Sequence, residues 1–149
     1  MKIKTISMET REIKFRGKRT DELKGWVYGH LFESEFKSWI FYEMGHESFD
    51  GEVSEYEADL EWVEVDPKTV GQYTGLNDKK DVDIYVGDIV RFKFGKGMQV
   101  SRVEFTQDHD YGYSLSDAGI MLSYIYTEKI QLEVIGNTTD NPELLSNPI

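Results

Sequence analysis

The chain has 149 residues, no cysteine and a formal net charge of −11 at pH 7. This length suits one domain with its own hydrophobic core. The lack of cysteine excludes disulfides, thiolate nucleophiles and cysteine-ligated zinc, and it is typical of a reducing compartment such as the bacterial cytoplasm. The first residues lack the run of about seven or more apolar residues found in a signal peptide, and no apolar run approaches the roughly 18 residues of a membrane span, so we expect neither.

The negative charge is concentrated in the middle of the sequence. Residues 33–66 contain one Lys or Arg against twelve Asp or Glu, whereas residues 1–32 carry eight against four. A net acidic surface repels phosphate backbones at long range, so sequence-independent nucleic-acid binding by the whole molecule is disfavoured. We expect this charge mainly to keep the domain soluble.

The first third of the sequence predicts three antiparallel strands. Residues 12–16 and 26–32 form a hairpin around a turn at 20–25, because Trp26, Tyr28 and His30 fall on one face and Val27 and Leu31 on the other. Residues 37–43 (KSWIFYE) follow as a third strand, whose run of aromatic and β-branched side chains suits a strand covered on both faces.

Residues 44–66 are an acidic segment whose pattern fits both a helix and a strand. Val53, Tyr56, Leu60 and Val63 recur with helical spacing, while residues 61–65 (EWVEV) alternate as in a strand. We expect a loop with one helical turn and then a strand. The proline at position 67 should bend the chain out of that strand.

The second half predicts further short strands at residues 88–94, 98–105, 113–115, 121–126 and 131–135, with turns at 95–97 and 108–112. Asn141 as N-cap and Pro142 as first helical residue predict a short C-terminal helix. The fold class is therefore mainly β: a small barrel-like set of antiparallel sheets with SH3-like character, or a compact sandwich, closed by that helix.

The sequence predicts no catalytic, cofactor-binding or metal site. His30, His46 and His109 lack the spacing that places two imidazoles on one helical face, and no serine lies in a nucleophile-elbow motif. An enzyme acting on nucleotides or nucleic acid would need histidines and carboxylates brought together by the fold. That remains the second alternative to a binding protein.

The segment 91–102 (RFKFGKGMQVSR) supplies a candidate binding surface of four basic residues: Arg91, Lys93, Lys96 and Arg102. Phe92 and Phe94 alternate with the first two, so on a strand the rings point towards the core and the charges towards solvent. The basic surface could receive the acidic segment 33–66 of a neighbouring subunit, or, as the first alternative, nucleic acid.

The stretch VGQYTGL (residues 70–76) supplies two more candidates, Gln72 and Tyr73, which could face a groove. We expect Gly71 and Gly75 to bracket a bend. Further along, Gly87 and Asp88 predict a turn in which the carboxylate accepts backbone N–H groups before the next strand begins.

Several motifs together resemble the YopX family of phage and prophage proteins: REIKFR (11–16), WVYG (26–29), VGQYTGL (70–76), IYVGDIV (84–90), and EVIGN (133–137) followed by NPELL (141–145). The resemblance covers residues 8–147 and implies one largely β domain over residues 1–149, with residues 1–7 as an extension. It also implies a phage or prophage protein of the host cytoplasm that forms homo-oligomers. Family members carry Asn-Gly where this chain has Lys80-Asp81, so we expect a longer loop here. They also commonly carry an acidic residue where this chain has Val86, so no role for that carboxylate carries over.

The preferred interpretation is thus a non-enzymatic phage or prophage accessory protein that self-associates and binds another protein. It needs no cofactor and no membrane.

Overall fold

The computed structural model describes residues 11–44, 59–107 and 112–146. Within these ranges the strands are β1 (Phe15–Lys18), β2 (Trp26–Glu33), β3 (Ser38–Met44), β4 (Asp59–Val65), β5 (Gly71–Asn77), β6 (Asp83–Tyr85), β7 (Asp88–Phe94), β8 (Gly97–Thr106), β9 (Gly112–Leu115), β10 (Ile120–Met121) and β11 (Leu132–Asn137). An α-helix, α1 (Leu122–Thr127), and 3-10 turns at Pro67–Thr69 and Pro142–Leu145 complete the described elements.

The strands form two antiparallel sheets, which confirms the mainly β prediction. The first sheet has the order β4-β3-β2-β1-β5-β6 and the second β10-β9-β8-β7-β11. In the described part of the chain neither sheet closes on itself, so the barrel and SH3-like character is not confirmed. The three strands predicted in the first third are confirmed as β1, β2 and β3, although β1 begins at Phe15 rather than at residue 12.

The hairpin β7–β8 is confirmed nearly residue by residue. Phe94 pairs with Gly97, so only Gly95 and Lys96 lie in the turn. Gly95 adopts φ +61°, as the first central residue of a type II′ turn requires. The predicted turn at Gly87 is confirmed too, because Gly87 has φ +92° and the Asp88 carboxylate accepts the Tyr85 N–H at 2.8 Å.

Two clusters of apolar side chains form the core. The larger one packs β6, β7, β8, β9, β11 and α1 around Phe92, and the smaller one joins the inner faces of β2, β3 and β4 around Ile40. Their side chains come from alternate strand positions, as the period-2 patterning predicts.

The predicted strand at 121–126 is wrong, since residues 122–127 form α1. Leu122 and Ile125 lie three apart and are both buried, while Tyr124 and Tyr126 face solvent. One helical turn places Leu122 and Ile125 on the same face, whereas a strand would put them on opposite faces.

The C-terminal helix is also corrected, since Pro142–Leu145 is a 3-10 turn and the side chain of Asn141 does not cap it. The Asn141 Oδ1 atom instead accepts the N–H of Asn137 at 3.3 Å. This bond ties the turn back to the end of β11.

The predicted bend between Gly71 and Gly75 is wrong, because both glycines lie inside β5. A Cβ atom on Gly71 would collide with the carbonyl oxygen of Val86, so the glycine permits close approach of two backbones. Gly75 has φ +84° within the register shift that separates Tyr73 from Asn77. The two glycines therefore belong to one strand and do not mark a bend at its ends.

The loop expected at Lys80-Asp81 is indeed longer than a two-residue turn. Asn77 pairs with Asp83, which leaves residues 78–82 to connect β5 and β6. The strand predicted at 61–65 is confirmed within β4. The helical turn expected before it, the histidines at 46 and 109, most of the predicted turn at 108–112 and the extension at 1–7 lie outside the described residues. Among the described residues, no helix is long and apolar enough to cross a membrane.

Candidate functional site

The outer side of the β2–β3–β4 sheet carries a cluster of rings that we call the aromatic face: Phe32, Trp39, Phe41 and Trp62, with His30 at its margin. It follows directly from strand alternation and antiparallel register. Phe32 pairs with Trp39, His30 with Phe41, and Phe41 with Trp62. The intervening side chains of Ile40 and Val63 point the other way, into the smaller core.

The rings contact one another across the strands. Phe41 stacks on Trp62 with centroids 4.9 Å apart, and Phe32 meets Trp62 edge-on at 6.0 Å. His30 lies against Phe41 at 5.0 Å and Phe32 against Trp39 at 5.8 Å. Such cross-strand aromatic pairs each stabilise a sheet by about 0.2–1 kcal/mol, so the face is held in shape before any partner arrives.

Much of this aromatic surface is open to solvent. The exposed fractions are 52% for Phe32, 54% for Trp62 and 50% for the neighbouring Leu60. Contiguous exposed apolar surface on a small protein marks a contact site more often than a scattered exposed residue does. Tryptophan is also among the residues that contribute most to binding energy at protein interfaces.

Acidic groups border the aromatic face. Glu43 pairs across the strands with Leu60, and Glu64 with Trp39, so both carboxylates share the outer side with the rings. Lys37 neutralises Glu64 through a 2.8 Å ion pair, whereas Glu43 is exposed. The face therefore combines aromatic rings with net negative charge, and it suits a partner that carries apolar and basic groups.

The predicted basic surface lies on the β7–β8 hairpin, but acids from distant parts of the chain neutralise half of it. Arg91 forms a 3.0 Å ion pair with Glu133 on the neighbouring strand. Arg102 is held by Asp117 through two bonds of 3.0 Å. Among the described residues Lys93 and Lys96 have no acidic partner, so they are the cations that remain available.

Glu133 collects three cations. Lys79 and Lys80 contact it at 2.9 and 2.7 Å in addition to Arg91. Bonds from Lys79, Lys80 and Arg91 hold the pKa of the Glu133 carboxyl well below its usual range. Glu133 therefore stays ionised and offsets positive charge that the sequence alone leaves uncompensated.

Gln72 and Tyr73 lie in β5, next to β1. Tyr73 is buried, and its hydroxyl donates to Asn77 Oδ1 at 2.6 Å. Lys14 Nζ lies 4.6 Å from the centre of the Tyr73 ring. Gln72 is half-buried, and its carbonyl accepts the Val86 N–H at 2.9 Å. Both residues thus have structural contacts, and a role for them in a groove stays a prediction.

A buried ion pair joins the two sheets. Arg16 of β1 and Asp88 of β7 are 6% and 1% exposed, and Arg16 Nη1 lies 2.7 Å from Asp88 Oδ1. Burial raises the pKa of Asp88, and Arg16 opposes that rise. The guanidinium also lies over Trp26 and Tyr85, at 4.7 and 5.1 Å from the ring centres. Burial raises the pKa of the Tyr85 hydroxyl to about 12.

The described residues contain no group of three or more His, Asp or Glu side chains placed to hold a metal ion. His30, the histidine within the described ranges, packs on Phe41 at the margin of the aromatic face.

The model of the family described as YopX protein matches residues 14–146. The chain belongs to the YopX family. Among solved structures, this YopX protein is similar to protein EF1440 from Enterococcus faecalis, at 22% identity and a TM-score of 0.48, over 91% of this chain and 99% of that one. A search of curated proteins finds no match.

Sequence reasoning missed the aromatic face of this YopX protein as a surface. The alternation in residues 26–32 was visible, but residues 37–43 read as a strand covered on both sides because four apolar residues follow one another. The register then decides which of them face solvent, and the outer position of Trp62 in β4 completes the cluster. In residues 61–65 (EWVEV), Trp62 alternates with the buried Val63. That alternation is the sequence signal that Trp62 lies on the outer side of the sheet.

Proposed function

We propose that this YopX protein is a non-enzymatic accessory module of a phage or prophage that works in the host cytoplasm by self-association and protein binding. The aromatic face is the observation that carries the proposal. Its rings are preorganised by mutual stacking, and Phe32 and Trp62 are half-exposed; both are properties of interface hot spots.

Protein is favoured over nucleic acid as the partner because of the charges around the rings. Platforms that stack bases pair their aromatic rings with Lys and Arg side chains for the phosphates. Here Lys37 is already engaged by Glu64, and Glu43 adds further negative charge. A nucleic-acid strand would meet repulsion at this face, whereas arginine and lysine side chains of a protein would meet carboxylates and aromatic rings.

A second copy of the chain carries a complementary surface at the tip of its β7–β8 hairpin. Lys93 and Met98 pair across the hairpin and point to the same side, and Lys96 lies in the turn. Met98 is 46% exposed, so the side that carries Lys93 also offers an apolar contact, together with two cations that have no acidic partner among the described residues. We infer that the hairpin tip of one copy docks on the aromatic face of another, which is a contact between two different surfaces.

Reciprocal charge reversal tests this contact. One variant carries Lys93→Glu with Lys96→Glu, and the other carries Glu43→Lys with Glu64→Lys. Each alone presents like charges across the contact and should shift light scattering towards the monomer. Mixed in equal amounts, each variant meets a surface of opposite charge on the other, so association should return.

The control variant reverses two exposed lysines elsewhere, Lys24→Glu with Lys129→Glu, and should associate like the unmodified chain. A hairpin variant that keeps the oligomer unchanged, or a mixture that fails to reassociate, would contradict the proposed contact.

A further inference from the structure

Arg16 leaves part of its guanidinium unused. The ion pair with Asp88 engages Nη1, and among the described residues Nε has no hydrogen-bond partner, even though the side chain is only 8% exposed. A buried donor without an acceptor destabilises the fold, because it has lost its hydrogen bond to water. Such an orphaned group is uncommon in a native fold, and an acceptor from outside the chain would satisfy it.

Two pockets flank this guanidinium, and their charges differ. One is lined by Asp81, Asp83 and Asp88 as well as by Arg16, so it repels anions. The other, of about 250 Å³, is lined by three cations, Arg16, Lys68 and Arg102, with Glu104 as the acidic residue on its wall. We call the second one the Arg16 pocket.

The Arg16 pocket also offers hydrogen-bond donors and a glycine opening. Thr138 and Thr139 line it together with Gly87, whereas the hydroxyl of Thr69, which also lines it, already donates to the Asp66 carbonyl at 2.7 Å. A Cβ atom on Gly87 would lie 3.7 Å from Arg16 Nη2 and 3.6 Å from Thr138 Oγ1. The space beside Gly87 is therefore flanked by a guanidinium edge and a hydroxyl, and a side chain at this position would fill it.

The cations of the Arg16 pocket differ in how free they are. Asp117 already engages Nε and Nη2 of Arg102. Lys68 is exposed and, within the described ranges, has no acidic partner, so it can turn towards a ligand. The packing of Arg16 on Trp26 fixes the plane of the guanidinium. A fixed guanidinium fork beside a mobile ammonium matches the oxygens of a phosphate group.

We propose that the Arg16 pocket binds a phosphate group, with Arg16, Lys68 and Thr138 as its donors. Its volume lies below the range of pockets for drug-sized ligands, which fits a single oxyanion group with little attached to it. Free phosphate and a small phosphate ester carry the same group. The pocket walls around the bound phosphate decide which of the two binds more tightly.

Titration of the ¹⁵N-labelled full chain with sodium phosphate tests the site, with sodium chloride at equal ionic strength as the reference. The amide signals of Gly87 and Thr138 and the indole signal of Trp26 should move together and saturate. Parallel titration with glycerol 3-phosphate identifies the source: tighter binding of the ester points to a phosphorylated metabolite, and tighter binding of phosphate points to the free ion.

The variants separate the site from general electrostatics. Lys68→Gln should weaken phosphate binding about 5- to 10-fold, while Lys24→Gln, which removes another exposed lysine outside the pocket, should leave it unchanged. Thr138→Val should weaken binding about 5-fold with the fold intact. No saturable shift at these three signals, or equal effects of Lys68→Gln and Lys24→Gln, would overturn the proposal.

Discussion

Removal of the Asp88 carboxylate should destabilise the protein more than any exposed substitution. In the Asp88→Ala variant the Arg16 guanidinium keeps its charge, because arginine is not deprotonated in proteins. The Tyr85 N–H, which donates to Asp88 Oδ2 at 2.8 Å, also loses its acceptor. The variant therefore leaves a buried charge and a buried donor without partners.

The size of the effect follows from the burial of both groups. Breaking a buried ion pair by removing one partner costs about 3–5 kcal/mol. For a chain of about this length, each kcal/mol lowers Tm by about 2–4 °C, so we expect a loss of about 6–20 °C. Arg16→Met should cost less at pH 7, because the remaining Asp88 carboxyl can take up a proton, whereas the guanidinium cannot give one up.

Urea unfolding followed by tryptophan fluorescence at several pH values measures both variants. Burial raises the folded-state pKa of Asp88, and loss of Arg16 removes the charge that opposes this rise. An acid with a raised folded-state pKa destabilises the fold above that pKa, and the penalty disappears as pH falls through it. The Arg16→Met penalty should therefore shrink on acidification, while the Asp88→Ala penalty should not. An Asp88→Ala cost below about 1 kcal/mol would refute the reasoning.

Two further predictions concern a close contact between two backbones and a second buried carboxylate. Gly71→Ala should lower the free energy of unfolding by about 1–3 kcal/mol, because the added methyl collides with the Val86 carbonyl. In the control Gly97→Ala the added methyl meets open space, so the free energy of unfolding should change by no more than about 0.5 kcal/mol. Equal losses for the two variants in urea unfolding would contradict the close contact between the Gly71 and Val86 backbones. Asp78 is buried, which alone would raise its pKa, but N–H donations from Val134, Val82 and Lys80 hold the pKa below the usual range of an aspartate. Its contribution should be present at neutral pH and fade as pH falls below about 4, whereas Asp78→Asn should lose about 1–3 kcal/mol at pH 7 and show less acid sensitivity.

Local patterning predicted most of the strands. The alternation of residues 26–32 and the Gly95 turn each depend on neighbours within a few positions, so they can be read from the sequence. The helix at Leu122–Thr127 was missed because a six-residue stretch is too short to distinguish helical from strand periodicity. The burial of both Leu122 and Ile125, seen in the structure, decides for the helix. The role of Gly71 was missed because the backbone that approaches it belongs to Val86.

The candidate sites depend on contacts between distant residues. The basic segment 91–102 contains no acid, yet Glu133 and Asp117 reach Arg91 and Arg102 across strand neighbours and turns. The Arg16–Asp88 pair joins residues that lie 72 positions apart, and neither local pattern marks it. Charge counts along the sequence therefore overestimate how much positive surface is available.

Sedimentation velocity over a concentration series tests self-association through the aromatic face most directly. Trp62→Ser removes two ring contacts that each stabilise the sheet by about 0.2–1 kcal/mol, a loss that should leave the fold intact, and Tyr126→Ser removes an exposed ring outside the face as the matched control. We predict that the unmodified chain and Tyr126→Ser sediment as oligomers of the 17.3 kDa chain, and that Trp62→Ser sediments as the monomer. An unmodified chain that stays monomeric, or a Trp62→Ser variant that associates like it, would contradict the central claim.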